Sequence, residues 1–579
     1  MAGPARKTSE VRLASGVLRP IVTTLVVFSG VVNVLALTGS FYMLQVYDRV
    51  LTSRSVPSLV ALSLLAIGLY LFQAGLEVVR GQVLIRLASR LDRRLTPPAH
   101  DAVMRLRLAT GTQTNPTQPL RDVDAIRAYL SGQGPVAILD APWMPLYFIF
   151  IFLLHPVLGW ITVFGGLFLL GLALLTERLM RAPGEGSAKS SKRRWALVDA
   201  SERNAEVLNA MGFSHRFLHR LQAINTEHIA ANERLSDVSG GLSVVSRVFR
   251  LMLQSALLGI GAYLTIRGEI TAGAIIACSI AASRALSPIE IAIANWRGFN
   301  AARLACTRLD QVLGNLPKLG RPLSLPPPKK SLGVENVTVT VPGTQTTVLA
   351  GVSLDLQAGT VLAVIGPSAA GKSTLARAVT GVWPLARGAV RLDGAALPSW
   401  SHEERGKHIG YLPQDVQLFE GSITENISRF EDKPDSQRVI AASRAADVHE
   451  MVLRLPEGYE TQIGEGGSAL SAGQRQRIAL ARALYSDPFL VVLDEPNSNL
   501  DADGEKALLG AIKAVKERGG IVIVIAHRPA VLGVADLVAV IGAGQLTAVG
   551  PRDEVLRKVL RQPPVSAPAA LAVVAEAKA

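Results

Sequence analysis

The chain has 579 residues, of which 49% are hydrophobic and only 18% charged, and its mean hydropathy is +0.31. That composition excludes disorder as the principal state and excludes a single soluble domain, and the length allows roughly three or four domain-sized units. Lys and Arg number 60 against 46 Asp and Glu, a formal net charge of +14; so basic a chain could meet nucleic acid or an anionic membrane surface, and the placement of the charge must decide. Two cysteines, Cys278 and Cys306, cannot build a disulfide framework or a cysteine metal site and read as small buried apolar residues.

A helix needs about 20 mostly apolar residues to cross a bilayer. The first half supplies six such stretches, approximately 21–44, 56–76, 134–154, 157–176, 249–266 and 270–293. The first stays apolar too long for a cleavable signal peptide and reads as an anchor. Spans three and four are separated by little more than His155 and Pro156, a tight helical hairpin. Arginines crowd the loop from Arg80 to Arg127, and Arg178, Arg181, Lys189 and Lys192 to Arg194 follow the fourth span, whereas the opposite loops carry only Asp48, Arg49, Arg54, Arg267 and Glu269. The positive-inside bias then places the N-terminus, both long loops and the C-terminal half in the cytoplasm. The basic excess is therefore topological, and nucleic acid is not an expected partner. Helical periodicity in both long loops, as in Leu84, Leu87 and Leu91, predicts that they prolong the spans.

The domain division is a short N-terminus (1–19), a membrane domain (20–315), a Pro-rich linker (316–330), an α/β domain (331–560) and a disordered tail (561–579). In the α/β part, β-branched runs such as Val361 to Ile365, Leu490 to Leu493 and Ile521 to Ile525 alternate with helical segments. Gly366, Pro367, Ser368, Ala369, Ala370, Gly371, Lys372 and Ser373 follow the first of these runs and precede a helix beginning near Thr374, the G-x-x-x-x-G-K-S pattern in its proper setting. The glycines let backbone N–H groups and the helix N-terminus face phosphate oxygens. Lys372 would reach the β and γ phosphates, and Ser373 would ligate Mg²⁺. Phe489 to Glu495 is an apolar strand ending in two acids at the carboxyl edge of a parallel sheet. There Asp494 would hold Mg²⁺ and Glu495 would polarise the attacking water, while the run Ile521 to Ile525 delivers His527 to the same edge, where its imidazole could position phosphate and water.

Leu470, Ser471, Ala472, Gly473 and Gln474, followed by a helical stretch, complete a pattern that resembles the nucleotide-binding domain of ABC transporters. The resemblance implies that Ser471, Ala472, Gly473 and Gln474 form the ABC signature, that Gln414 is the Q-loop glutamine at the metal and water, and that Asn497 to Asp501 is the D-loop. Ala472 stands where the family usually has glycine; since alanine disfavours positive φ, a looser approach to phosphate is expected. Where the family has an adenine-stacking aromatic, this chain offers Val339 or Val341.

Six spans and one ATPase in a single chain resemble an ABC exporter half-transporter: an all-α transmembrane domain fused to an α/β P-loop ATPase, working as a homodimer with ATP and Mg²⁺. Phe41 to Pro57 and Asp140 to Tyr147 look like the permease/ATPase of bacterial type I secretion systems. That resemblance implies residence in the bacterial inner membrane, a membrane-fusion adaptor and an outer-membrane channel as partners, and export of an unfolded polypeptide with a C-terminal signal. With only about 20 residues before the first span, no N-terminal peptidase domain is expected, which favours the protease-secretion type. A lipid or drug flippase and a non-transporting ATP-gated scaffold are the alternatives. Asp48 and Arg49 read either as a solvated turn or as functional, Trp143 and Tyr147 as an interfacial belt or as functional. Glu77, Asp140, Arg284 and Glu290 are candidates for a polar conduit, with snorkelling as the other reading for Glu77 and Asp140.

Overall fold

The computed structural model describes residues 19–110, 117–315, 325–526 and 528–561. Most of the short N-terminus and Pro-rich linker, nearly all of the C-terminal tail, and His527 lie outside them. The chain divides into two compact units, one formed by the N-terminal half and one by the C-terminal half.

The membrane unit is all helix: α1 Arg19–Leu35, α2 Thr38–Gln45, α3 Val56–Thr110, α4 Gln118–Leu130, α5 Gly134–Asp140, α6 Met144–Leu154, α7 Pro156–Arg203, α8 Ser214–Ile266, α9 Ala272–Ala294 and α10 Trp296–Asn315. Among the described residues, six helical segments are long and apolar enough to cross a membrane, at Ile21–Ser53, Val56–Leu106, Gly134–Leu154, Pro156–Arg203, Ser214–Ile266 and Ala272–Ala294. All six match the stretches read from composition. Helix is the form an apolar span must take when hydrocarbon offers its backbone no partner. Helices α3, α7 and α8 run for 55, 48 and 53 residues. At a rise of 1.5 Å per residue each is on the order of 75 Å long, more than twice the hydrocarbon thickness, so the spans do continue as helices through the charged loops. Leu158, Leu169, Leu257 and Leu286 form the core among α6 to α9, and Cys278 is buried there. Leu91, Leu95, Ile126, Ala305 and Leu309 form a second core where α3, α4 and α10 meet, with half-buried Cys306 against it.

Two spans are not single regular helices. The first breaks after Leu35, resumes, and widens into a π-helical turn at Val46–Val50. The third is interrupted at Ala141–Trp143 by a 3₁₀ turn containing Pro142. At the first break side chains gather that sequence had left open. Asp140 accepts from Arg80 at 2.8 Å and from Asn33 at 2.9 Å, Arg80 also donates to Ser29, and Tyr147 donates to the Asn33 carbonyl at 2.9 Å. Tyr147 is 2% exposed, which overturns its reading as an interfacial belt residue. The Trp143 indole donates to the Val26 carbonyl and lies so close to Gly30 that a Cβ there would sit 2.4 Å from the ring. Asp48 is not a solvated turn either: it accepts from the Thr271 hydroxyl at 2.5 Å and the Gly273 amide at 2.9 Å, capping α9. Glu77 accepts from Gln73 and Glu290 pairs with Arg250 at 2.9 Å.

The C-terminal unit has two sheets. Strands β1 Ser331–Thr340, β2 Thr347–Gln357, β4 Arg387–Leu392 and β5 Ala395–Ala396 form an antiparallel sheet in the order β2-β1-β4-β5. Strands β3 Val361–Ile365, β6 Ile409–Leu412, β7 Leu490–Asp494, β8 Ile521–Ile525, β9 Leu537–Gly542 and β10 Gln545–Pro551 form the second, in the order β10-β9-β3-β8-β7-β6. Strands β9, β3, β8, β7 and β6 are parallel and only the β10 edge is antiparallel. Every residue of β7 and β8 is buried, as their unbroken apolar runs require when both faces are covered. The parallel register sets Asp494 beside Ile525 and brings the carboxyl ends of β3, β7 and β8 to one edge.

Candidate functional site: a nucleotide site at the carboxyl edge of the parallel sheet

Between β3 and the helix α11 Lys372–Val379, the loop holds Gly366 at φ +152°, Ala369 at +63° and Gly371 at +103°. Gly366 is required, because a Cβ would sit 2.1 Å from the Ile541 carbonyl oxygen. These three positive-φ residues curl the backbone into a concavity ahead of the helix N-terminus, the arrangement that collects N–H groups for anions. Lys372 is 6% exposed and its ammonium is held at 2.9 and 2.8 Å by the carbonyls of Gly366 and Pro367. The lysine thus lies folded across the loop that it would serve.

Ser373 and Thr374 follow Lys372 in the first turn of α11, and the Ser373 hydroxyl donates to Asp494 Oδ1 at 3.1 Å. Asp494 is 1% exposed and its other oxygen, Oδ2, is buried without a partner among the described residues. Burial pushes the Asp494 carboxyl up from the usual carboxylate range, and the Ser373 hydrogen bond opposes the shift. An orphaned carboxylate oxygen next to a hydroxyl is an oxygen donor set that fits a hard divalent cation, so the residues suit Mg²⁺. Glu495 follows at φ +51°, a left-handed conformation costly for a non-glycine residue and stored most often where function requires it. Its Oε2 accepts from the Gln414 amide at 3.2 Å. Four side chains named from sequence, Ser373, Gln414, Asp494 and Glu495, therefore converge. His527 follows Ala526, which is buried at the end of β8, but is itself outside the described residues.

The signature residues sit at the start of the helix α12 Ala472–Leu484. Ser471 is the N-cap, with a capping box in which its hydroxyl accepts from the Gln474 amide and the Gln474 side chain accepts from the Ser471 amide. Ala472 is consequently the first helical residue and has no positive φ. The backbone ground for expecting looseness is therefore absent, since this conformation is one alanine adopts readily. Gly473 is the crowded position, where a Cβ would lie 3.0 Å from the Asn499 carbonyl.

Sequence reasoning passed over Gln476 and Arg477. Gln476 is 2% exposed, donates to the Pro496 carbonyl and accepts from the Asn499 amide at 3.1 Å, tying the signature helix to the D-loop. Arg477 reaches Asp501 at 2.5 Å, while Asp501 caps the helix α13 Ala502–Glu517 through the Gly504 amide. A glutamine two places beyond Gln474 was the available signal, since helical spacing turns it to another face. Of the two adenine candidates, Val339 is 0% exposed and belongs to the core, whereas Val341 opens the loop before β2 and is half-buried.

Residues 349–498 match the ABC transporter family and residues 22–286 match the ABC transporter transmembrane region. The type I secretion system ATP-binding protein PrsD of Rhizobium meliloti is 52% identical over 95% of this chain and 94% of its own length. The leukotoxin translocation ATP-binding protein LktB of Mannheimia haemolytica is 27% identical over 93% of this chain and 77% of its own. In fold, a solved bacterial Atm1-family ABC exporter with ATP bound superposes with a TM-score of 0.82 at 21% identity, covering 94% of this chain and 97% of the exporter. With its membrane-spanning and ATP-binding halves in one polypeptide, the chain belongs to the ABC transporter family.

Proposed function

We propose that the protein is the ATP-driven component of a type I secretion system and exports an unfolded polypeptide across the bacterial inner membrane. The observation that carries the reading is the joining, in one chain, of six spans to an ATP site where Ser373, Gln414, Asp494 and Glu495 converge. It is supported by the full-length likeness to a type I secretion ATP-binding protein.

In this reading the loop from Gly366 through Ala370 to Thr374 presents N–H groups to the ATP phosphates, and Lys372 exchanges its two carbonyl partners for phosphate oxygens. Ser373, Asp494 and Gln414 would hold Mg²⁺, which when bound would neutralise charge on the phosphates. Glu495 accepts a hydrogen bond from the attacking water and draws its proton, Gln414 positions that water, and His527 assists at the γ-phosphate. Ser471, Ala472, Gly473 and Gln474 of a second copy close over the nucleotide, so the working unit is a homodimer. ATP binding draws the two ATPase domains together and hydrolysis releases them. An adaptor and an outer-membrane channel continue the path outward, and the cargo carries a C-terminal signal. The N-terminus and the ATPase domain face the cytoplasm.

Glu495→Gln keeps size and hydrogen bonding but removes the acceptor charge. Steady-state phosphate release from purified protein in lipid should fall about 10²- to 10⁴-fold with labelled ATP retained. Unchanged turnover would move the base role elsewhere, His527 first. Orientation is checked by cysteines at exposed positions: Ser53→Cys and Gly268→Cys should label from outside intact spheroplasts and Lys189→Cys should not. Export is checked by co-expression with an adaptor and channel and recovery of a cargo in the medium. If Glu495→Gln leaves the cargo in the medium undiminished, export is not driven by this site.

A further inference from the structure

Outside the ATP site, the membrane unit contains a cavity of about 580 Å³ bounded by α4, α7, α8 and α10. Its walls come from the charged portions of these helices beyond the apolar spans, and they carry five arginines against three acids. Three of the arginines are committed: Arg308 to Asp122 at 2.5 Å, Arg303 to Glu177 at 3.1 Å, and Arg181 to Glu185 at 4.0 Å. The other two have no carboxylate partner among the described residues. Arg297 donates only to the Asn232 amide oxygen at 2.9 Å, and the Arg121 guanidinium lies over the Trp195 ring at 5.8 Å. Two exposed guanidinium groups, one hydrogen-bonded to a neutral amide and one over a neutral ring, leave the cavity with net positive charge.

We propose that this cavity receives an acidic segment of the transported polypeptide, whose carboxylates pair with Arg121 and Arg297. The proposal rests on the export reading above and adds the chemistry of what is taken up. Guanidinium forks match carboxylates in two-point geometry and hold them better than an ammonium would. The rest of the lining suits an extended chain rather than a bare anion or a lipid phosphate. Asn232 and Asn300 offer side-chain amides that both donate and accept, as a peptide backbone needs. Met180, Leu235 and Leu304 give an apolar wall for the side chains between the acids. A lipid headgroup would use the charges and leave the amides and the apolar wall idle.

The test uses full-length protein in phosphatidylcholine nanodiscs and two labelled decapeptides, (Glu-Ala)₅ and (Gln-Ala)₅, followed by fluorescence anisotropy. The glutamate peptide should bind at least tenfold more tightly. R121Q/R297Q, checked for folding by its melting curve, should remove that preference, and R121K/R297K should restore part of it. If the double variant does not fold, the single Arg297→Gln is read the same way. Equal affinity for the two peptides, no binding of either, or a preference that survives in R121Q/R297Q would overturn the site. So would a lipid-phosphate site, seen as no peptide preference together with stabilisation by phosphatidylglycerol that R121Q/R297Q abolishes. None of these results bears on the export reading, which stands or falls on secretion of a cargo.

Discussion

Arg80 and Asp140, sixty residues apart in sequence, meet at 2.8 Å with side chains 9% and 15% exposed, at the point where the first three spans come together. Asn33 donates to the same carboxylate oxygen and is held in turn by Tyr147, so one acid organises three helices. Ionisable groups near a span are costly, and pairing of this kind offsets that cost.

Asp140→Ala would leave the buried Arg80 with the Ser29 hydroxyl as its remaining partner. Loss of one member of a buried pair typically costs about 3–5 kcal/mol, while replacing both members with apolar groups costs far less. The melting temperature in lipid should therefore fall sharply for Asp140→Ala and recover in R80M/D140L. A single variant as stable as the wild type would mean that the pair contributes nothing.

Thr271 is the N-cap of α9, and Asp48 supports it from the first span by accepting from the Thr271 hydroxyl and the Gly273 amide, an approach that a Cβ at Gly273, 2.6 Å from Asp48 Oδ1, would crowd. Asp48→Ala should destabilise this end of α9 by about 0.5–2 kcal/mol, the usual worth of a cap. Hydrogen exchange of the amides from Ile270 to Ile275 should accelerate correspondingly, and unchanged protection there would count against the cap.

At the signature, Ala472→Gly should change ATPase turnover less than about twofold, because the position is an ordinary first helical residue where glycine costs at most ~1 kcal/mol of helix stability. Gly473→Ala should lower turnover about tenfold, roughly 1.4 kcal/mol of barrier, by pressing a methyl against the Asn499 carbonyl. The reverse ranking would restore the close approach to residue 472.

Gln476→Leu keeps volume but strips the Pro496 carbonyl and the Asn499 amide of their partner. Each buried group left unsatisfied costs about 1–3 kcal/mol, and the strain falls on the D-loop. Turnover should drop with ATP affinity unchanged, and a variant weakened only in ATP binding would place Gln476 elsewhere in the cycle.

The spans and the nucleotide motifs were legible because each is written in contiguous residues. Twenty apolar positions must become a helix in hydrocarbon, and the loop from Gly366 to Ser373 works through its own backbone. The capping box at Ser471 and Gln474 is equally local, but the sequence reading began the helix after Gln474 and so missed that Ala472 opens it. The partners of Asp48, Arg80 and Tyr147 could not be read in this way. Their contacts span 223, 60 and 114 residues, and hydropathy gives the same value to a solvated acid as to one that caps another helix. Only the packing of the spans decides which polar side chains find a partner, because a buried charge persists only where another element happens to supply one.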